Sequence, residues 1–171
     1  CWVMRKMMLV VGVLIVALLL ATGCSKKDFN VEDVHYDTRD AQKVEELIGK
    51  IHSEMNDLVC YFKEHRMAGT KEAQAAADTI IKYVEELEPM VKSEALKQDL
   101  EMLVELVIRY AEYDRLNNPP TEEIANVGRW AHRIAHDLDY RGTKGDYHKA
   151  TITFEGKDSK ALKFLNLLKG E

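Results

Sequence analysis

The pattern of apolar and polar residues divides the chain into one unbroken apolar run and a series of amphipathic segments. The run extends from Met7 to Ala21 without a charged residue. From about residue 37 onward, apolar residues recur at spacings of three and four, which is the period of a helix with one buried face. The pattern therefore predicts a helical domain preceded by a segment of a different kind.

Four long helices are predicted, over residues 37–67, 71–88, 91–116 and 122–140. The apolar face of the first is expected to comprise Val44, Leu47, Ile48, Ile51, Met55, Leu58, Val59 and Phe62. The third is apolar around more than one face and is expected to be central. The buried residues expected in the fourth are Ile124, Val127, Trp130, Ala131, Ile134 and Leu138.

The C-terminal part is less regular. Within residues 141–157, the alternation of Thr151, Ile152, Thr153 and Phe154 is typical of a short strand. A short helix over residues 159–168, capped by Asp158, is predicted to follow. Four long amphipathic segments with short connections favour an all-α fold, an antiparallel four-helix bundle with a short fifth helix at the C-terminus.

The N-terminal apolar run is short for a membrane-spanning helix. At about 1.5 Å per residue it extends roughly 22 Å, whereas a bilayer core of about 30 Å needs nearer 20 residues. Arg5 and Lys6 precede the run, and Ala21-Thr22-Gly23-Cys24 ends it. Three residues precede Met4, and we expect translation to start at Met4.

These features resemble a bacterial lipoprotein signal with its lipobox, although Ala21 stands where leucine is usual. The resemblance implies that residues 1–23 are removed and that Cys24 carries the lipid. Residues 24–36 would then form a lipidated tether, and residues 37–171 the helical domain. Ser25 after the cysteine favours the periplasmic side of the outer membrane in a Gram-negative cell. An uncleaved anchor and an ordinary secretory signal remain alternatives.

The charge balance limits the possible partners. The formal net charge is −5, and removal of Arg5 and Lys6 would make it more negative by two. An acidic domain is repelled by anionic lipid and by nucleic acid, so the predicted membrane attachment depends on Cys24 and no nucleic-acid partner is expected. Cys60 would be the only other mature cysteine, which leaves no internal disulfide and predicts a passive thiol.

The most suggestive polar pair is His132 and His136. Their i, i+4 spacing places both imidazoles on one helix face, with Asp139 close by, and such a trio could bind zinc or copper. At about 100° per residue, however, the face formed by Val127, Ala131 and Leu138 lies opposite the histidines. We therefore expect them to point towards solvent or a partner.

Other recognised site patterns are absent from the sequence. There is no Cys-x-x-Cys-His motif for haem, no paired Glu-x-x-His pattern for di-iron and no nucleophile motif, so neither a cofactor nor enzymatic activity is predicted. Tyr113, Tyr140 and Tyr147 are candidates for an interface, because tyrosine is enriched at binding hot spots. Tyr110 and Trp130 could belong to the same patch or to the core.

The sequence thus favours a lipid-anchored protein of the cell envelope. The leading hypothesis is a non-enzymatic helical module that binds another envelope protein. The alternative is a sensory bundle that binds a metal ion or a small ligand between its helices. An interior site with converging polar groups would favour the second hypothesis.

Overall fold

The computed structural model describes residues 40–140 and 147–170. Over these ranges it contains seven α-helices, two short 3₁₀ helices (Glu88–Met90 and Gly156–Asp158) and no strand, which confirms the predicted all-α fold. The helices are α1 (Ala41–Val59), α2 (Glu64–Met67), α3 (Lys71–Leu87), α4 (Glu94–Ala111), α5 (Glu122–Asp139), α6 (Ile152–Glu155) and α7 (Lys160–Lys169). The predicted signal, Cys24 and the tether lie outside the described residues, as do residues 141–146. None of the described helices combines the length and apolarity needed to cross a bilayer.

The four long helices pack as a ring. Helices α1 and α4 each contact both α3 and α5. In the α1/α5 seam, Gly49 lies beside Asp139 and Val59 beside Gly128, so the two helices run antiparallel. The largest fully buried apolar side chains come from all four helices and include Leu47, Ile51, Met55, Ile80, Leu87, Leu96, Leu100, Leu103, Leu106 and Ile134. The predicted four-helix bundle with a short C-terminal helix is therefore confirmed.

Serine or threonine precedes the first residue of α3, α4, α5 and α7. In each case the hydroxyl accepts a hydrogen bond from the backbone N–H three residues later, which satisfies a donor left free by the first helical turn. For α7 this residue is Ser159, which accepts from the N–H of Leu162. The prediction that Asp158 caps this helix was therefore wrong by one position.

The first predicted helix is interrupted. Helix α1 ends at Val59, and Tyr61 and Phe62 adopt left-handed backbone conformations with φ of 61° and 63°. Phe62, predicted to face the core, is 90% exposed. The interruption lets α2 turn towards α4 and α5, where the Glu64 carbonyl accepts a hydrogen bond from the Tyr110 hydroxyl and the Glu64 carboxylate pairs with Arg129. Tertiary contacts here override the local helical period.

The predicted strand at residues 151–154 is instead a helical turn. Helix α6 starts at Ile152, and the Asp99 carboxylate on α4 accepts hydrogen bonds from the N–H groups of Ile152 and Thr153 at 2.6 and 2.8 Å. This distant carboxylate satisfies donors that a first helical turn leaves unpaired. Nothing in the local alternation of polar and apolar residues could reveal it.

An imidazole cluster in the α1/α5 seam

Four histidines converge where α1 meets the C-terminal half of α5. His52 lies on α1, His132 and His136 lie one turn apart on α5, and His148 follows α5 in the chain. The i, i+4 spacing aligns the two α5 rings, and the antiparallel packing places His52 opposite them. We call these four residues the imidazole cluster.

The ring spacing in this cluster is compatible with a shared metal ion. The ring centroid of His52 lies 5.4 Å from that of His132 and 5.1 Å from that of His136, and the two α5 rings are 6.0 Å apart. With metal–nitrogen bonds of about 2.0–2.1 Å, tetrahedral coordination separates two imidazole centroids by roughly 5.2 Å. The centroid separations are close to this value, but the ligand atoms of these three rings do not all lie within 4.8 Å of one another, as those of His136, Asp137 and His148 do.

His52 is held with one nitrogen unpartnered. Its Nδ1 lies 2.7 Å from Asp139 Oδ2, and the residue is only 6% exposed. Because a carboxylate oxygen accepts hydrogen bonds, Nδ1 carries a proton, and in the neutral tautomer this leaves the lone pair on Nε2. Nε2 is buried and has no hydrogen-bond partner among the described residues. A carboxylate that orients a histidine in this way is the usual outer partner of a metal-bound imidazole.

His132 is oriented by an amide in the same manner. Its Nε2 lies 2.8 Å from Asn56 Oδ1, so Nε2 donates and Nδ1 keeps its lone pair. Burial, followed by the charges of the other three histidines, lowers the pKa of His132 from 6.5 to about 4. The ring is therefore neutral at pH 7, which is the form that binds metal.

Cys60 borders the cluster without being activated. Its Sγ lies 3.2 Å from Asn56 Oδ1 and 3.6 Å from His132 Nε2. Burial raises the pKa of this thiol above its usual value of 9.0. A protonated thiol is a weak nucleophile, which agrees with the passive role predicted for Cys60.

His136 is the central ring, with its centroid 4.8 Å from that of His148 and 4.6 Å from that of the stacked Tyr140. Its Nδ1 is buried without a hydrogen-bond partner in the described part of the chain. One potential ligand atom from each of His136, Asp137 and His148 lies within 4.8 Å of the others. Asp137, however, already accepts backbone N–H bonds from His148 and Ala150 on its two oxygens. Each carboxylate oxygen keeps a further lone pair, so Asp137 both positions the segment after α5 and remains a potential ligand beside His136 and His148.

The predicted orientation of the α5 histidines was wrong. His136 is 9% exposed, and His132 is partly buried against α1. The prediction assumed one core face, whereas α5 packs against both α1 and α4 and is buried around most of its circumference. Trp130, predicted to be buried, packs only partly against the core. The structure places Asp139 beside the two histidines as the hydrogen-bond partner of His52.

Two members of the cluster were missed from sequence. His52 lies one turn from Ile48 and from Met55 on the apolar face of α1, and this placement was its only signal. His148 follows α5 in an irregular segment, where spacing gives no indication of a partner.

The three candidate interface tyrosines have separate local environments. Tyr140 is half exposed and stacks on His136, whereas the Tyr147 hydroxyl donates to Glu155 and the Tyr113 hydroxyl to the carbonyl of Pro119. Tyr110 is buried, as expected for the core alternative.

Comparison with known proteins adds no assignment. No family model, curated protein or solved structure matches the chain. The function must therefore be inferred from the chemistry of the imidazole cluster itself.

Proposed function

We propose that this protein is a lipid-anchored helical bundle of the cell envelope that binds a transition-metal ion at its imidazole cluster. His136, Asp137 and His148, whose ligand atoms lie within 4.8 Å of one another, form the centre of the site, and His52 and His132 complete the set. Asp139 and Asn56 hold two of these rings in the tautomers that keep a lone pair available. Imidazole ligands favour zinc, copper and nickel over magnesium or calcium.

The observation that carries this proposal is the buried, unpartnered Nε2 of His52. A buried polar atom without a partner costs roughly 1–3 kcal/mol. The rings around it are those of His132, His136 and Tyr140, and none of them donates a hydrogen bond to this nitrogen. A bound cation would remove this cost, because it would accept the lone pairs of several rings at once.

Isothermal titration calorimetry of the full chain in detergent tests the proposal with zinc, copper and nickel ions. We expect micromolar or tighter binding of one ion and a loss of affinity of about 100-fold or more in His52→Ala and His136→Ala. The matched control is His65→Ala, because His65 is partly exposed on α2 and pairs with Glu122. Equal binding by His52→Ala and the native chain, or no binding by either, would refute the metal site.

The anchoring part of the proposal depends on Cys24 and is tested separately. Metabolic labelling with a fatty-acid probe should label the native chain and leave Cys24→Ala unlabelled. Equal labelling of both, or of neither, would remove the lipid anchor from the proposal and leave the metal site unaffected.

A second candidate function is the binding of another envelope protein, and one observation favours it. Tyr61 and Phe62 are 85% and 90% exposed on consecutive left-handed residues between α1 and α2. Exposed aromatic residues are enriched at protein interfaces. In a pull-down from solubilised envelopes, Tyr61→Ser/Phe62→Ser should lose a stoichiometric partner that Leu116→Ser, altered at another exposed apolar residue, retains. The same recovery with all three proteins would argue against this interface.

A further inference from the structure

Two buried carboxylates hold the C-terminal part of the chain against the bundle. We call residues 147–169 the C-terminal strap. Asp137 on α5 accepts the N–H groups of His148 and Ala150 at 2.9 and 2.8 Å, and Asp99 on α4 accepts those of Ile152 and Thr153. Both carboxylates are fully or almost fully buried. Four backbone donors of one short segment thus point inward to charges supplied by two helices.

The strap also closes on itself. The Ser159 hydroxyl donates to the carbonyl of Ala150, and the N–H of Lys160 donates to the carbonyl of Lys149 at 2.9 Å. Beyond these bonds, α7 buries Ala161 and Leu165 and contacts both α4 and α5. The inward carboxylate bonds and the closure at Ser159 therefore join residues 147–169 into one cooperative unit.

His148 belongs to both the strap and the imidazole cluster. Its backbone N–H is bound by Asp137, while its ring lies 4.8 Å from that of His136. His148 therefore contacts two consecutive residues of α5. Its backbone bonds to Asp137, and its ring packs against that of His136. A metal ion coordinated by both His136 and His148 would bridge α5 directly to the strap.

The electrostatics of this region favour a cation there. Burial, with a contribution from the charge of Asp137, raises the pKa of Asp99 from 3.8 to about 6. Two carboxylates in a poorly solvated region are costly without a compensating positive charge. His136 Nδ1 lies 3.6 Å from Asp137 Oδ1, so an ion at His136 would be close to this charge.

Building on the metal binding proposed above, we infer that the metal ion couples the bundle to the C-terminal strap. Occupancy of the imidazole cluster tightens the docking of the strap, and a docked strap raises the affinity for the ion. Coupling of this kind is reciprocal by thermodynamic necessity, with typical factors of about 5- to 150-fold. The docking of the strap is then the structural change by which the protein reports the presence of metal.

Hydrogen exchange of the full chain, with and without zinc, tests this inference. Zinc should slow exchange in peptides from the strap by about fivefold or more, and peptides from α3 should change little. His148→Ala should still bind zinc through Asp137 and the remaining imidazoles, with lower affinity, but should lose the zinc-dependent slowing in the strap.

The reciprocal experiment changes the strap without changing a proposed ligand. Asp99→Asn removes a charge that holds Ile152 and Thr153, and we expect it to lower zinc affinity by about fivefold or more. Ser159→Ala, which loses the bond to Ala150, should act in the same direction and serves if the first variant folds poorly. Thr70→Ala, which removes the equivalent cap of α3, is the control and should leave zinc affinity unchanged.

The outcomes separate this inference from the proposed function. Zinc binding with unchanged exchange in the strap would refute the coupling and leave the metal site standing. Retention of the zinc-dependent slowing in His148→Ala would also refute it, because the bridge would then be unnecessary. Absence of zinc binding by the native chain would overturn both proposals.

Discussion

The α3/α4 seam and the α1/α5 seam belong to the same ring of helices but bury different chemistry. At the α3/α4 seam the two helices contact each other, and they bury aliphatic side chains such as Ile80, Val84 and Leu103. The α1/α5 seam is apolar at one end, where Val59 meets Gly128, and polar at the other, where His52 meets Asp139. Burial of apolar side chains explains the composition of the α3/α4 seam, but in the α1/α5 seam it explains only the apolar end.

This difference distinguishes side chains that stabilise the fold from side chains that the fold positions for another purpose. Aliphatic burial contributes stability in proportion to the area removed from water. Buried imidazoles contribute less, because their desolvation is only partly offset by the bonds to Asp139 and Asn56. Departures of this kind from the packing rules are expected at functional or strained sites, and this one motivates the metal site proposed above.

The largest expected effect is in the aliphatic seam. Leu103 is fully buried on α4, and Leu103→Ala should lower the free energy of unfolding by about 2–5 kcal/mol through lost burial and the cavity it leaves. Urea denaturation provides the measurement. Leu116→Ala, at a residue that is 97% exposed, is the control and should remain within about 0.5 kcal/mol of the native chain. Equal losses in the two variants would contradict the packing described here.

In the polar seam, a substitution at His52 should remove metal stabilisation without weakening the fold. His52→Leu replaces a buried ring that has one unpartnered nitrogen, so the metal-free protein should be as stable as the native chain or slightly more so. With zinc at about 100 times the native dissociation constant, the native chain should gain about 2.7 kcal/mol and the variant, with its affinity about 100-fold lower, no more than about 0.4 kcal/mol. Thermal unfolding with and without zinc measures both effects. A metal-free variant that loses several kcal/mol would show that His52 is structural.

The two seams also differ in how well the sequence predicts them. Aliphatic residues at helical spacing were sufficient to predict the four long helices, since a helix shows the same apolar pattern whichever neighbour buries it. His52 and His148 were missed because their meaning depends on which residues of other segments lie opposite them. The turn at Tyr61 and Phe62 and the start of α6 were missed for the same reason, because contacts from Tyr110 and Asp99 decide them.

A smaller effect is expected at the two glycines of the α1/α5 seam, Gly128 in its apolar half and Gly49 in its polar half. A Cβ at Gly128 would lie 2.7 Å from a Tyr110 ring carbon, and that ring is fixed by its bond to the carbonyl of Glu64. Gly128→Ala should therefore cost about 1–2 kcal/mol, even after the gain in helix propensity. At Gly49 the nearest atom would be 3.6 Å away, so Gly49→Ala should stabilise by up to about 1 kcal/mol. Chemical denaturation of both variants checks this contrast, which a loss at both positions would contradict.

The smallest effect is a difference in pH dependence between the variants His132→Asn and Asp99→Asn. In the folded chain the pKa of His132 is about 4, below its ordinary 6.5. The unfolded chain then binds this proton more tightly, so His132 lowers stability as the pH falls from about 6.5 to 4. The pKa of Asp99 is raised from 3.8 to about 6, so Asp99 has the opposite effect and raises stability as the pH falls from about 6 to 3.8.

Each variant removes one of these opposing contributions. Compared with the native chain in metal-free buffer, His132→Asn should become relatively more stable between pH 7 and pH 4.5. The gain should be about 1 kcal/mol, because the ring is partly exposed and solvent screens part of the effect. Asp99→Asn should become relatively less stable over the same interval. Urea midpoints at both pH values provide the measurement, and parallel curves for all three proteins would mean that neither group titrates in the folded chain as its environment indicates.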